Sequence, residues 1–307
     1  MIYSNGLIVI NSKCNISDVS KKSIQTIYDL GKYGVMYCKN KDDLNESLID
    51  EDHVVIFGGD GTVFYVVQHV INRNIPIVHF PIGTGNGLVN SLLNINNFKV
   101  EKDLSITHQY IEKALSIGNE VLIDTMTIKM LNTEEIYHSF LFVSCGIFAS
   151  LDINSEWLRM LGEIRFTIGA VLELVQYLTI GNSFNAILEF TDEYDHELKV
   201  EGNFVFFIAS NLSHTSASSV TSPRSKHDDG YIYLSYILEP VSTWELLQIL
   251  LKLEDGTYIN KLNYLRTKKF KLTPKSNNNL FYDFDGEEFP IEPIEVSINP
   301  KSLRVII

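Results

Sequence analysis

Through the first third of the chain, short apolar runs alternate with stretches of helical period. GLIVI at 6–10, residues 35–38, 53–57 and 75–80 have the length and β-branched content of buried strands. Between them, Val19, Ile24, Ile27 and Leu30 form one stripe of a helix over 17–30. Residues 41–49 suit a shorter helix, Val63, Val66, Val67 and Val70 share one helical face, and 88–93 reads as helix again. Strands alternating with helices predict a parallel, doubly wound α/β domain over residues 1–120. From Val121 the rhythm changes. Segments 121–130, 137–143, 184–190, 203–210, 231–237, 268–272, 280–284 and 294–298 read as strands separated by Gly, Asn, Asp or Pro, with helices only at 155–179 and 243–253. That pattern predicts a mainly antiparallel β-sandwich over 121–307.

Two of the early strands end in glycine. Gly58-Gly59-Asp60-Gly61-Thr62 follows the third run, and Pro81-Ile82-Gly83-Thr84-Gly85-Asn86-Gly87 follows the fourth. Glycine lets backbone N–H groups at a helix start approach a polyphosphate closely, so each turn is a candidate anion cradle. After consecutive parallel strands they lie side by side at the carboxyl edge of the sheet, where open α/β folds bind ligands. A carboxylate at Asp60 repels such a ligand unless a cation intervenes or it takes a proton during chemistry, and both belong to phosphoryl transfer. The simpler reading of either turn alone is a glycine bend with a solvated tip.

The 307 residues are 45% hydrophobic, enough for two cores, and carry a net charge of −13. That charge argues against nucleic acid or a polybasic membrane contact. Cys14, Cys38 and Cys145 are widely spaced with no CxxC pair, which suits neither a disulfide framework nor zinc and fits the cytoplasm. The first residues have no basic leader and the longest apolar run is too short to span a bilayer, so membrane contact is expected to be peripheral and led by apolar residues.

With a third segment the chain resembles the family of diacylglycerol and sphingosine kinases. Cys145 to Asp152 (CGIFASLD), followed by Ser155 to Phe166 (SEWLRMLGEIRF), is similar to the signature of sphingosine kinases. Asp228-Asp229-Gly230 and Asp285-Gly286-Glu287 stand in the same order as in that family. The loop after the first strand keeps Asn11 but loses the usual glycines, and Ser150 replaces the first carboxylate of an Asp-x-Asp.

The resemblance implies an ATP-dependent, magnesium-using lipid kinase acting on the primary hydroxyl of sphingosine or a related long-chain base. Diacylglycerol or another lipid is the alternative acceptor, and a lipid-binding module without catalysis is a further one. It implies that Asn11, Gly58, Gly59, Gly61, Thr62, Gly83, Thr84, Gly85 and Asn86 hold the nucleotide, that Arg159 and Arg165 supply positive charge, and that Asp285, Gly286 and Glu287 face Mg-ATP. Asp60 is implied as the base and a magnesium ligand; Glu287 is the rival base. Asp152 is implied to meet the amino-alcohol head of the lipid. On the residues alone, Asp285-Gly286 reads as a hairpin turn, Asp228-Asp229-Gly230 as a turn or a structural cation site, and Asp152 as a helix cap. Oligomeric state and regulation leave no trace in the sequence.

Overall fold

The computed structural model describes residues 5–14, 16–38, 43–44, 51–95, 104–154, 183–217, 219–252, 256–275 and 280–307. The chain divides into two compact units, 1–124 with 300–307, and 125–299. The last eight residues thus return to the first unit rather than staying with the second.

In the first unit β1 (Asn5–Asn11), β2 (Lys32–Cys38), β3 (Val54–Gly58) and β4 (Ile77–Pro81) form a sheet in the order β2-β1-β3-β4, all pairs parallel. Val305, near the end of β17 (Ile294–Ile306), adds beside Ile77, also parallel. α1 (Asp18–Leu30) begins where Ser17 Oγ accepts the amide of Ser20, a local N-cap. Its Ile27 meets Ile8, Ile10, Val55, Phe57, Val78 and Phe80 on one face of the sheet. On the same face lie Ile111, Ala114 and Leu115 of α4 (Leu104–Ile117). Val9, Ile56 and Ile77, of opposite parity, are equally buried, so both faces are covered, as a parallel sheet requires.

α4 escaped the periodicity because the first turn of its inward face carries Thr107 and His108 while Ile106 is exposed, which blurs the apolar stripe that Ile111, Ala114 and Leu115 continue. His108 packs edge-on against Phe57 and Phe80 and shares a 3.2 Å hydrogen bond with Ser23.

The second unit is antiparallel. β9 (Glu197–Ser210) is its spine: β8 (Phe184–Thr191) pairs with its first half, β7 (Phe142–Gly146) with its second, and β12 (Ile232–Leu238) runs along the other edge. β14 (Lys269–Pro274) links β8 to the start of β17, and β13 (Asn263–Thr267) extends β12. β15 (Phe281–Phe284) pairs with β7 and with β16 (Glu287–Pro290). β5 (Glu120–Met130) pairs with β6 (Ile136–Ser139).

The expected single strand at 137–143 is two, β6 and β7. The amides of Phe140, Leu141 and Phe142 all point at the Asp285 carboxylate, so the chain between the strands turns instead of continuing the ladder. After β7, Gly146 takes a φ of +79° and the chain enters a helix, α5 (Ile147–Asn154), which lies outside the spans read as helix from the sequence. β17 runs well past the expected end at 298. Lys301 takes a φ of +51° and its amide donates to the buried Asp124 at 2.7 Å, which anchors the return of the chain to the first unit. α6 (Thr243–Leu251) lies close to its expected span; the helix expected at 155–179 lies outside the described residues, as does that at 41–49 except for residues 43–44.

Burial pushes His53, His79 and His108 down to about 4. Their folded-state values lie below the unfolded one, so as pH falls from about 6.5 to 4 the unfolded chain takes up protons first and stability is lost. Asp60 and Asp285, with raised values, act in the opposite sense over part of the same window. Replacing His108 by Phe should make the loss of unfolding free energy between pH 6.5 and 4.5 shallower by about 1–2 kcal/mol. Parallel denaturation curves for parent and variant would refute that account.

Candidate nucleotide site

The two glycine turns sit at the carboxyl ends of adjacent parallel strands, and their backbones touch. A Cβ added to Gly83 would stand 2.6 Å from the Gly59 Cα, and one added to Gly58 would stand 2.5 Å from Thr62 Oγ1. Only glycine permits this approach. The Gly58 carbonyl accepts both the Ile82 amide and His79 Nε2, each at 3.0 Å, which fastens the end of β3 to the second turn.

α2 (Asp60–Val70) starts directly after Gly59 and has no side-chain cap. Its inward Val63, Val66, Val67 and Val70 are buried, as their spacing predicted. The first turn of an uncapped helix presents N–H groups and the positive end of its dipole. Asn11, at the end of β1, donates from Nδ2 to Thr62 Oγ1 at 2.8 Å, so the residue kept from the family's first loop is tied to the first glycine turn.

The second turn leads into α3 (Gly87–Ile95). Asp60 reaches across to it: Gly87 N donates to Oδ2 at 2.8 Å and Leu88 N to Oδ1 at 3.3 Å. The carboxyl is buried, which pushes its pKa up to about 6 against the pull of the Gly87, Leu88 and Asn86 amides and its own. Asn86 takes a φ of +54°, donates from Nδ2 to the Gly83 carbonyl at 2.9 Å, and leaves its buried Oδ1 without a donor from the chain. Thr84 is exposed and Gly85 half-buried at the mouth of this turn. Asn11, Gly58, Gly59, Asp60, Gly61, Thr62, Gly83, Thr84, Gly85 and Asn86 therefore occur together in the first unit. The cradle fits a polyphosphate: bare backbone and an open helix N-terminus.

The remaining expected residues belong to the second unit. Asp285 and Gly286, with φ of +53° and +92°, form the two-residue turn between β15 and β16, the geometry that an Asp-Gly pair favours. The Asp285 carboxylate accepts Ser139 Oγ (2.7 Å) and the amides of Phe140 (2.9 Å), Leu141 (3.0 Å) and Phe142 (2.8 Å). Burial still pushes its pKa up to about 7. A metal ion at Asp285 would have to displace these donors. Gly286 N donates to Asp283, and Glu287 opens β16, half-buried. Asp229 accepts Tyr231 N at 3.1 Å and Tyr233 Oη at 2.7 Å, a turn closed by its own neighbours. Asp152 lies within α5, not at the end of a strand; its side chain, with Arg159 and Arg165, is outside the described residues.

Among the described residues no group of three or more His, Cys, Asp or Glu side chains is placed to hold a metal ion. Magnesium held mainly by nucleotide phosphates needs no such cage.

The sequence reading missed His79 and the cap that Asp60 gives to α3. The buried His79 sits in an apolar strand, and its neighbour in space, Gly58, is 21 residues away in the chain.

A doubly wound α/β unit with paired glycine turns, followed by an antiparallel β unit, defines a nucleotide-using class of protein. Residues 7–119 match the diacylglycerol kinase catalytic domain, and 142–307 match the YegS C-terminal NAD kinase beta sandwich-like domain. The chain belongs to this family and is a lipid kinase of the diacylglycerol kinase and sphingosine kinase group, whose fold implies ATP use. It is 25% identical over 300 residues to sphingosine kinase 1 of Mus musculus, covering 85% of this chain and 77% of that one. It is 24% identical over 291 residues to sphingoid long chain base kinase 4 of Schizosaccharomyces pombe, covering 81% and 61%. A crystal structure of a diacylglycerol kinase from Bacillus anthracis shares the fold with a TM-score of 0.69 at 16% identity, covering 100% of this chain and 97% of that one.

Two substitutions test the local accounts. Gly83→Ala forces the backbones of the two turns apart and should lower unfolding free energy by about 1–3 kcal/mol; an unchanged denaturation midpoint would show that the turns have slack. Asp285→Asn keeps the tolerance for positive φ but turns an amide toward the N–H groups of 140–142. We expect a loss of about 1–3 kcal/mol in the same measurement, and a neutral result would mean that those donors find other acceptors.

Proposed function

We propose that the protein transfers the γ-phosphoryl group of ATP to the primary hydroxyl of sphingosine or a related long-chain base. The observation that carries the nucleotide half is the backbone contact of Gly59 with Gly83 beside the uncapped start of α2. When bound, Mg-ATP supplies the phosphoryl group, with magnesium neutralising its oxygens.

The chain's own residues do the rest. The amides of Gly59, Gly61 and 83–85 hold the phosphates, and Thr62, fixed by Asn11, keeps the first turn in place. Asp60 is the base: at neutral pH it is ionised, yet with a pKa of about 6 it holds a proton better than an ordinary carboxylate. Glu287 is the rival for that role. Arg159, Arg165, Gly286 and Glu287 keep the roles that the family resemblance implies, whereas the Asp285 carboxylate serves its own turn, being taken up by Ser139 and the amides of 140–142.

For the acceptor, Asp152 pairs with the ammonium of the long-chain base. Support comes from the signature that contains it and from relatives named sphingosine kinase aligned over most of this chain. Diacylglycerol is the second reading, favoured by Ser150 in place of the first carboxylate of the motif. Contact with the membrane is peripheral and the setting cytoplasmic in this proposal; none of the described helices is long and apolar enough to cross a bilayer.

Labelled ATP offered with sphingosine, diacylglycerol, ceramide or NAD should give transfer to sphingosine above the others. Asp152→Ala should then lower kcat/KM for sphingosine by about tenfold to hundredfold, the worth of one charge-assisted hydrogen bond, and leave diacylglycerol unaffected. Equal losses on both lipids would remove the amine contact, and transfer to none would leave a binding module.

A further inference from the structure

The Asp60 carboxylate does something that a base has no need to do. It starts α2, yet both of its oxygens accept N–H groups from the start of α3, which lies 27 residues further on. The residue locally placed to cap α3 is Asn86, but its side chain folds back onto the Gly83 carbonyl and its Oδ1 accepts nothing from the chain. At nine residues α3 is too short to hold its first turn unaided. Its N-terminal amides are buried and matched by a negative charge, the arrangement that the helix dipole favours. The turn 83–87 is thereby held between two anchors, the Gly59 backbone at one end and the Asp60 carboxylate at the other.

We propose that Asp60 is a positioning residue for nucleotide binding: by capping α3 from the first turn of α2, it fixes the second glycine turn against the first so that both address one polyphosphate. This rests on the nucleotide reading above and adds to Asp60 a role before any chemistry. The two roles give opposite signs in a measurement without a lipid acceptor. A carboxylate that served only as a base would repel bound phosphates, so its loss would leave nucleotide affinity unchanged or raise it. A clamp, once lost, lets the second turn relax and affinity falls.

The test is titration of ADP, with and without magnesium, into the protein with no lipid present; a carboxylate that served only as a magnesium ligand would cost affinity in the titration with magnesium alone, whereas loss of the clamp lowers both. Asp60→Asn keeps the shape but offers an amide where two amides need acceptors, and should weaken Mg-ADP by about tenfold or more. Gly87→Pro removes the 2.8 Å donor at the first position of α3 and leaves the carboxylate in place. Gly87→Ala, which keeps the donor, controls for the added side chain, the strain that proline puts on the positive φ of Asn86 being counted against the Pro variant alone. Gly87→Pro should weaken Mg-ADP similarly, and the double variant should be no weaker than the weaker single one, because both break one interaction. In turnover with lipid, Gly87→Pro should raise KM for ATP more than it lowers kcat, and amide exchange at 87–90 should quicken in both variants, with a melting temperature that falls but leaves each variant folded at the temperature of the titration. Wild-type or tighter Mg-ADP binding by Asp60→Asn, or additive losses in the double variant, would overturn the proposal. If Asp60→Asn does not fold, undiminished affinity in Gly87→Pro overturns it alone. Failure of the parent itself to bind Mg-ADP would instead remove the nucleotide reading on which it stands.

Discussion

The first unit is arranged around a close approach between two pieces of main chain. Gly59 and Gly83 come near enough that a methyl group on Gly83 would collide with the Gly59 backbone. Everything nearby serves that contact: parallel pairing of β3 with β4 brings the turns level, the Gly58 carbonyl takes two donors from the second strand and its loop, and Asp60 draws in the start of α3. A side chain cannot substitute for any of this, because the ligand groups on offer are the N–H groups themselves.

Both units use a buried carboxylate in the same way. Asp60 collects the first amides of a helix, and Asp285 collects three successive amides and a hydroxyl between two strands. Each is costly to ionise in its dry surroundings, and each is raised in pKa as a result. Each also fixes a stretch of backbone that has no regular ladder to join. An acidic residue in a kinase motif therefore need not be reserved for chemistry; it can build the turn on which the chemistry depends.

The match to the diacylglycerol kinase catalytic domain and to the sandwich domain fixes the family. The acceptor is a finer matter, since the shared fold at 16% identity carries no preference between a glyceride and an amino alcohol. Specificity depends on a few side chains that contact the head group, and a fold tolerates many such sets.

The local sequence determined the elements whose signals are short in range. Apolar runs gave the parallel strands, helical spacing gave the buried valines of α2, and the glycine clusters marked both turns and the residues around them. The Asp-Gly hairpin at 285–286 was also legible, because two consecutive positive φ values follow from the residue types. Only tertiary structure decided the rest. α4 turns His108 inward beside its apolar residues because Ser23, Phe57 and Phe80 give that ring a place. β6 and β7 are two strands because a carboxylate more than 140 residues away claims the amides between them. The end of β17 belongs to the first unit because Asp124 takes an amide from Lys301, and α3 is capped by Asp60 rather than by its neighbour. In each case the deciding partner is remote in the chain, and periodicity, which compares a residue only with those a few places away, carries no record of it.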